Sequence, residues 1–253
     1  MKRRLQLGRI FGVDLHVDWS WIVTFVLVAG TLVPLDRRLS PGLTTIELAM
    51  AGALAAAGLF ASCGAHEMAR VMAARRAGVP VHRLTLFVLG GVTDVERAPA
   101  TPRTEVLGAV AAPAFSIVAG LVLALGLAIA TAPLPRDIHD TARLGLPGLV
   151  LAEIALANLV IAFVNLLPAY PLDGGRLMRA AIWRATGSVD RATKYSAWAG
   201  QIVGYSFVIF GFAMAVSRTL TAAGVLAVFV GWFVASGAAQ GYERVAISSR
   251  SGS

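Results

Sequence analysis

"NLLPAYPLDGGR", residues 165–176, ends an apolar run with two prolines, one acid and a double glycine. Proline removes an amide donor and clashes with the preceding helical turn, whereas glycine lets backbones approach closely. The run 147–167 is therefore expected to open just where Asp173 enters. Ionisable residues within apolar spans are costly and are functional candidates by default. A second such point lies upstream, in "SCGAHEMARVMAARRAG", residues 62–78. There His66-Glu67 opens an H-E-x-x-H pattern, but the fifth position is Arg70. On a helix, positions i and i+4 share a face, so the full pattern offers two imidazoles to one zinc, with the glutamate beside the metal-bound water. Catalytic zinc usually takes three protein ligands and keeps an open position for water. Asp173 is well placed to supply the distant ligand.

The surroundings of these two points are those of a membrane protein. The chain has 253 residues, 57% of them hydrophobic and only 14% charged. A soluble domain carries about 25% charge, and about 20 apolar residues cross a bilayer. Six runs qualify: 19–35, 45–77, 103–131, 147–167, 192–216 and 220–238. The expected fold is an all-α polytopic membrane protein with about six transmembrane helices, in a single domain over 1–253. A short tail is expected from about 239, with no added regulatory domain. The segment "VHRLTLFVLGGVTDVE" (81–96) is too short and interrupted to cross. Its β-branched residues and Gly90-Gly91 predict a small membrane-associated β-hairpin turning near those glycines, with an edge free to pair with an unwound substrate. The N-terminal "MKRRLQLGRIFGVDLHVD" reads as a basic, amphipathic or extended lead-in.

The net charge of +8 does not point to nucleic acid, because basic residues gather on the cytoplasmic side of membrane proteins. With a cytoplasmic N-terminus, Arg37, Arg38, Arg136, Arg143 and Arg218 fall outside, and the remaining Lys and Arg, Arg70 apart, fall inside. The expected location is the cell membrane, multi-pass, with both termini cytoplasmic. Arg75, Arg76, Arg176, Arg179 and Arg184 read as orientation charges, and Trp19, Trp21, Trp183 and Trp198 as interfacial belt residues. The lone Cys63 excludes an internal disulfide. No small-residue cleavage site follows the first apolar run, so it reads as a retained span. The two halves show no repeat, which argues against a small transporter.

The match to known chemistry is most specific at the two polar points. "NLLPAYPLDGGR" is similar to the Asn-x-x-Pro-x-x-x-x-Asp-Gly signature of the site-2 protease family, the intramembrane zinc metalloproteases. "HEMAR", the following "ARRAGVPVHRLTLFVLGGV" and "LHVDWSW" resemble that family's metal-site helix, hairpin and first-span entry. The resemblance covers nearly the whole chain. It implies six spans, one zinc ion within the bilayer and cleavage of a transmembrane helix of another membrane protein. It also implies that His66 and Asp173 are metal ligands, Glu67 the general base, and Asn165 a residue that orients substrate or stabilises the oxyanion.

Two departures stand out. Ala112, in "AAPAF", takes a place where the family more often has glycine, a small packing change. Arg70 is the larger one. A guanidinium has only donors and is always charged, so it cannot ligate and sets a positive charge where zinc would sit. Two readings follow: a zinc metalloprotease with impaired activity, or a silent relative that binds transmembrane helices without cutting them. Cys63, one turn before His66, is an alternative soft ligand for a displaced site with His66 and Asp173. Asp173 could also cap the helix it opens. His16, His82 and His139 read as surface or interfacial histidines. A guanidinium within the spans needs a counter-charge, so Arg70 is expected within salt-bridge distance of Asp173, Glu67 or both.

Overall fold

The structure, a computed structural model, describes residues 4–87, 90–95, 101–131, 145–217 and 221–251. Arg136, His139, Arg143 and Arg218 lie outside these residues. So does the 88–89 connection within the expected hairpin.

The described residues open on two strands, the extended form of the expected lead-in. β1 (Arg4–Ile10) and β2 (Val13–Asp18) pair antiparallel around Phe11-Gly12. Both turn residues have positive φ, 50° and 77°, as a two-residue hairpin turn with the favoured twist requires. β2 then pairs in parallel with β3 (Val81–Phe87), and β4 (Gly90–Val95) ends the sheet, which runs β1-β2-β3-β4. The expected hairpin is thus half of a four-stranded sheet. Gly90-Gly91 opens β4 and does not form the turn itself.

The described residues form seven helices, α1 (Ser20–Leu39) and α2 (Thr45–Arg76) between β2 and β3, then α3 (Pro102–Thr131), α4 (Gly145–Asn165), α5 (Asp173–Thr186), α6 (Val189–Val216) and α7 (Thr221–Ser251) after β4. All but α5 contain a stretch long and apolar enough to cross a membrane, and these six match the six runs. Local sequence fixes several ends. Thr44 and Glu47 form a capping box: the Thr44 amide donates to Glu47 Oε2 at 2.8 Å and the Glu47 amide to Thr44 Oγ1 at 3.3 Å. Gly78, with φ of 80°, ends α2 while the Val79 amide bonds back to the Ala74 carbonyl at 3.0 Å, a closure only glycine makes easily. Pro102 opens α3, where its missing amide costs nothing.

The fold forms two compact units. The first holds residues 1–69, 82–94 and 114–162, and Val13, Leu48, Ala51, Leu84 and Leu86 are buried in it. Small residues let its helices approach: a Cβ on Gly52 would stand 2.8 Å from the Ala29 carbonyl oxygen, and one on Gly120 3.0 Å from that of Ala155. Trp21 of α1 packs on Phe60 of α2 with ring centroids 4.2 Å apart.

The second unit holds residues 70–81, 95–113 and 163–253. In it, Gly204 and Gly211 of α6 face Gly231 and Gly224 of α7. Such backbone-to-backbone approach is how helices associate where lipid gives no hydrophobic drive. A Cβ on Gly211 would stand 2.7 Å from both the Gly224 carbonyl oxygen and the Val228 amide nitrogen. Gly211→Ala should therefore destabilise by about 1–3 kcal/mol, read as a lower thermal midpoint in detergent. Gly126→Ala, with nothing within 4 Å of its Cβ, should leave the midpoint unchanged or raise it.

Arg179 departs from its reading as an orientation charge. It is an internal partner in the second unit: its Nε donates to Glu105 Oε1 at 2.7 Å, and Glu105 is only 4% exposed. The guanidinium also lies 5.7 Å from the centroid of the Tyr170 ring.

Candidate functional site

The polar points of the sequence become two clusters, one in each unit. In the first, α2 carries His66 and Glu67, both buried. His66 Nδ1 lies 2.9 Å from Ser116 Oγ of α3, a hydroxyl with no solvent exposure. One turn earlier on the same face of α2, Ser62 Oγ accepts from Asn158 Nδ2 of α4 at 2.8 Å, and Asn158 also donates to the Ile154 carbonyl at 2.9 Å. The bond between them holds the imidazole ring in one orientation. Ser62, Ser116 and Asn158 were missed by motif reasoning. The available signal was their polarity inside the runs 45–77, 103–131 and 147–167.

In the second cluster, Pro168 and Pro171 keep 166–172 out of helix, and α5 begins at Asp173. Glycine is required at the next two positions. A Cβ on Gly174 would overlap the carbonyls of Leu166 and Leu167, and one on Gly175 would overlap the backbone of Ala169 and Tyr170. Asp173 is the first residue of α5 and not its cap, which is Leu172. Its charge there faces the positive end of the helix dipole. Asp173 is fully buried, and Arg70 meets it: Nη2 lies 2.8 Å from Oδ1 and 2.8 Å from Oδ2. The expected counter-charge for Arg70 is therefore Asp173. Nη2 donates a hydrogen bond to Oδ2 and makes an ion-pair contact with Oδ1. Asn165 is the last residue of α4 and is partly exposed. Cys63 is a free thiol, partly exposed.

A zinc centre of three protein ligands does not fit these residues. The guanidinium has no lone pair to give, and it is paired with the aspartate that a metal would need. Among the described residues no group of three His, Cys, Asp or Glu side chains is gathered.

Comparison with known proteins gives a consistent set of relatives. Residues 129–211, which include the break after Asn165, match the protein family described as Peptidase family M50. The chain is 35% identical over 246 residues to "Putative zinc metalloprotease Rip3" of Mycobacterium tuberculosis, covering 97% of this chain and 60% of that protein. It is 31% identical to "Putative zinc metalloprotease sll0528" of Synechocystis, over 92% of this chain and 58% of that protein. The chain thus spans about 60% of the length of these curated relatives. Among solved structures, the "Site-2 Protease from Methanocaldococcus jannaschii" superposes with a TM-score of 0.63 at 25% identity, over 95% of both chains.

Proposed function

We propose that the chain is a member of peptidase family M50 with the site-2 protease fold, and that it binds transmembrane segments of other membrane proteins without cutting them. The observation that carries this reading is the Arg70–Asp173 pair. In an H-E-x-x-H site the second histidine and a distant acid would both face the metal; here a cation faces the acid. A fixed guanidinium supplies a positive charge of its own, which relieves the buried carboxylate. It supplies no Lewis acid and activates no water. Zinc, one ion per chain in the proteolytic reading, is then bound weakly or not at all.

Client binding still has a structural basis. β4 ends the sheet, and an exposed sheet edge offers main-chain hydrogen bonds to an extended segment. The bias of basic residues puts the N- and C-termini on the cytoplasmic side of the cell membrane, and with them the client's site of entry. The client is a transmembrane helix in the bilayer, and nucleic acid has no part in this reading.

A second reading is favoured by one observation, the intact His66–Ser116 bond. In it the chain is a weak zinc metalloprotease, with His66 and Asp173 as ligands, Glu67 as base and Asn165 orienting the substrate. The two readings part in one experiment. A dye-labelled single-span model substrate is reconstituted with the chain in liposomes, and energy transfer and product formation are followed together. Energy transfer without product is the expected result. Product formation contradicts the proposal, and absence of energy transfer removes its binding half.

A further inference from the structure

The first unit contains an apolar cavity of about 680 Å³. Leu7 and Phe11 of the β1–β2 hairpin, Trp21 and Phe25 of α1, and Ala57 and Ala61 of α2 are among its walls, and no charged, hydroxyl or amide side chain lines it. The character of this lining excludes most occupants. An unwound peptide segment would bring many unpaired amides and carbonyls, each costly to bury without a partner, and among the lining side chains only the Trp21 indole carries a strong hydrogen-bonding group. A helix satisfies its own backbone, but it is about 10 Å across and would use up this volume in less than about two turns. Water would need two or more polar partners. A hydrocarbon chain makes no such demand.

The cavity is also continuous with a surface suited to lipid. Ile22 lines it and is 52% exposed, and Val23 and Val26, beside it on α1, are 61% and 63% exposed. α1 has the length and apolar character of a span, so this face meets acyl chains directly. At the mouth, Phe11 is 73% exposed at the tip of the hairpin, an aromatic anchor of the kind found at membrane interfaces.

We propose that this cavity is a binding site for one acyl chain of a membrane phospholipid, held between the β1–β2 hairpin, α1 and α2. The chain enters from the bilayer along α1 and ends against Ala57 and Ala61. The wall on α2 includes Ala65 and Met68, on either side of His66-Glu67 in the sequence. The seated lipid therefore keeps that stretch of α2 dry on its outer side. This inference holds whether or not the chain is proteolytic, because it uses no metal and none of the residues of the candidate site.

The test uses the full chain purified in mild detergent, with native mass spectrometry to count retained phospholipid. Wild type should keep about one phospholipid per chain through extended washing. The double variant Ala57→Phe and Ala61→Phe fills the cavity and should reduce that retention at least about tenfold, a loss equal to about 1.4 kcal/mol of binding. Val23→Phe, on the same lipid-facing helix but outside the cavity, should retain lipid as wild type does. Ala61→Leu, a milder filling, should give a partial loss and guards against a double variant that fails to fold. A second readout uses Trp21 as the only tryptophan, with Trp19, Trp183, Trp198 and Trp232 changed to Phe. Phosphatidylglycerol and phosphatidylcholine with brominated chains should quench it equally, since the chain and not the head group is recognised. No retained lipid in wild type, or equal retention in wild type and both filled variants, would overturn the proposal. So would quenching by only one of the two lipids.

Discussion

Asp173→Ala is expected to destabilise the chain by about 3–5 kcal/mol, the cost of leaving a buried charge without its partner. Asp173 has no solvent exposure, and the Arg70 side chain is only 11% exposed. The aspartate also sits at the first residue of α5, directly before two glycines that admit no side chain. Removing its carboxylate therefore takes this counter-charge from the guanidinium and loosens the packed turn beneath it. The double variant Arg70→Met and Asp173→Leu should recover most of the loss, because an apolar pair of similar volume often matches a buried ion pair. Thermal and denaturant unfolding in detergent of the single and double variants, read as a thermodynamic cycle, measures the coupling. A cycle with no coupling energy would show that the two side chains do not depend on each other.

Arg70→His should have the opposite character: a gain. It removes the cation from Asp173 and offers an imidazole in its place, four residues after His66 on α2. Three ligands then exist in sequence, His66, the new imidazole and Asp173. We expect about one zinc per chain, and a stability that rises with zinc concentration as linkage requires, by about 2.7 kcal/mol when free zinc is a hundredfold above its dissociation constant, read as a rising melting temperature. The same variant tests what else has changed. Zinc binding without cleavage of a model transmembrane substrate would place the remaining defect outside the ligand set. Failure to bind zinc would show that the site departs from the proteolytic pattern at more than one residue.

Much of this was legible because membrane sequences declare their elements. The six apolar runs became six helices, since lipid requires every backbone group to be paired within a span, although α7 runs on to Ser251, well past the expected end near 238. The break at 166–172 was legible from Pro168, Pro171 and the double glycine, and the pairing of Arg70 from the cost of a lone guanidinium. The β1–β2 hairpin was not legible. Its turn, Phe11-Gly12, carries a bulky residue at positive φ, where a turn signal would have asparagine, aspartate or glycine. Arg179 was misread because its partner, Glu105, is 74 residues away, and long-range pairing leaves no mark in local pattern. Ser116, beside His66 and 50 residues from it, escaped for the same reason.

The claim at the centre is that a positive side chain occupies the charge role of a metal beside Asp173. The most direct measurement is the zinc content of the wild-type chain, purified in detergent, saturated with zinc and then washed free of loosely held ion. No zinc retained at His66 and Asp173, with the Arg70–Asp173 pair unbroken, is the result this account predicts. About one tightly held zinc per chain, lost on His66→Ala or Asp173→Asn, would contradict it.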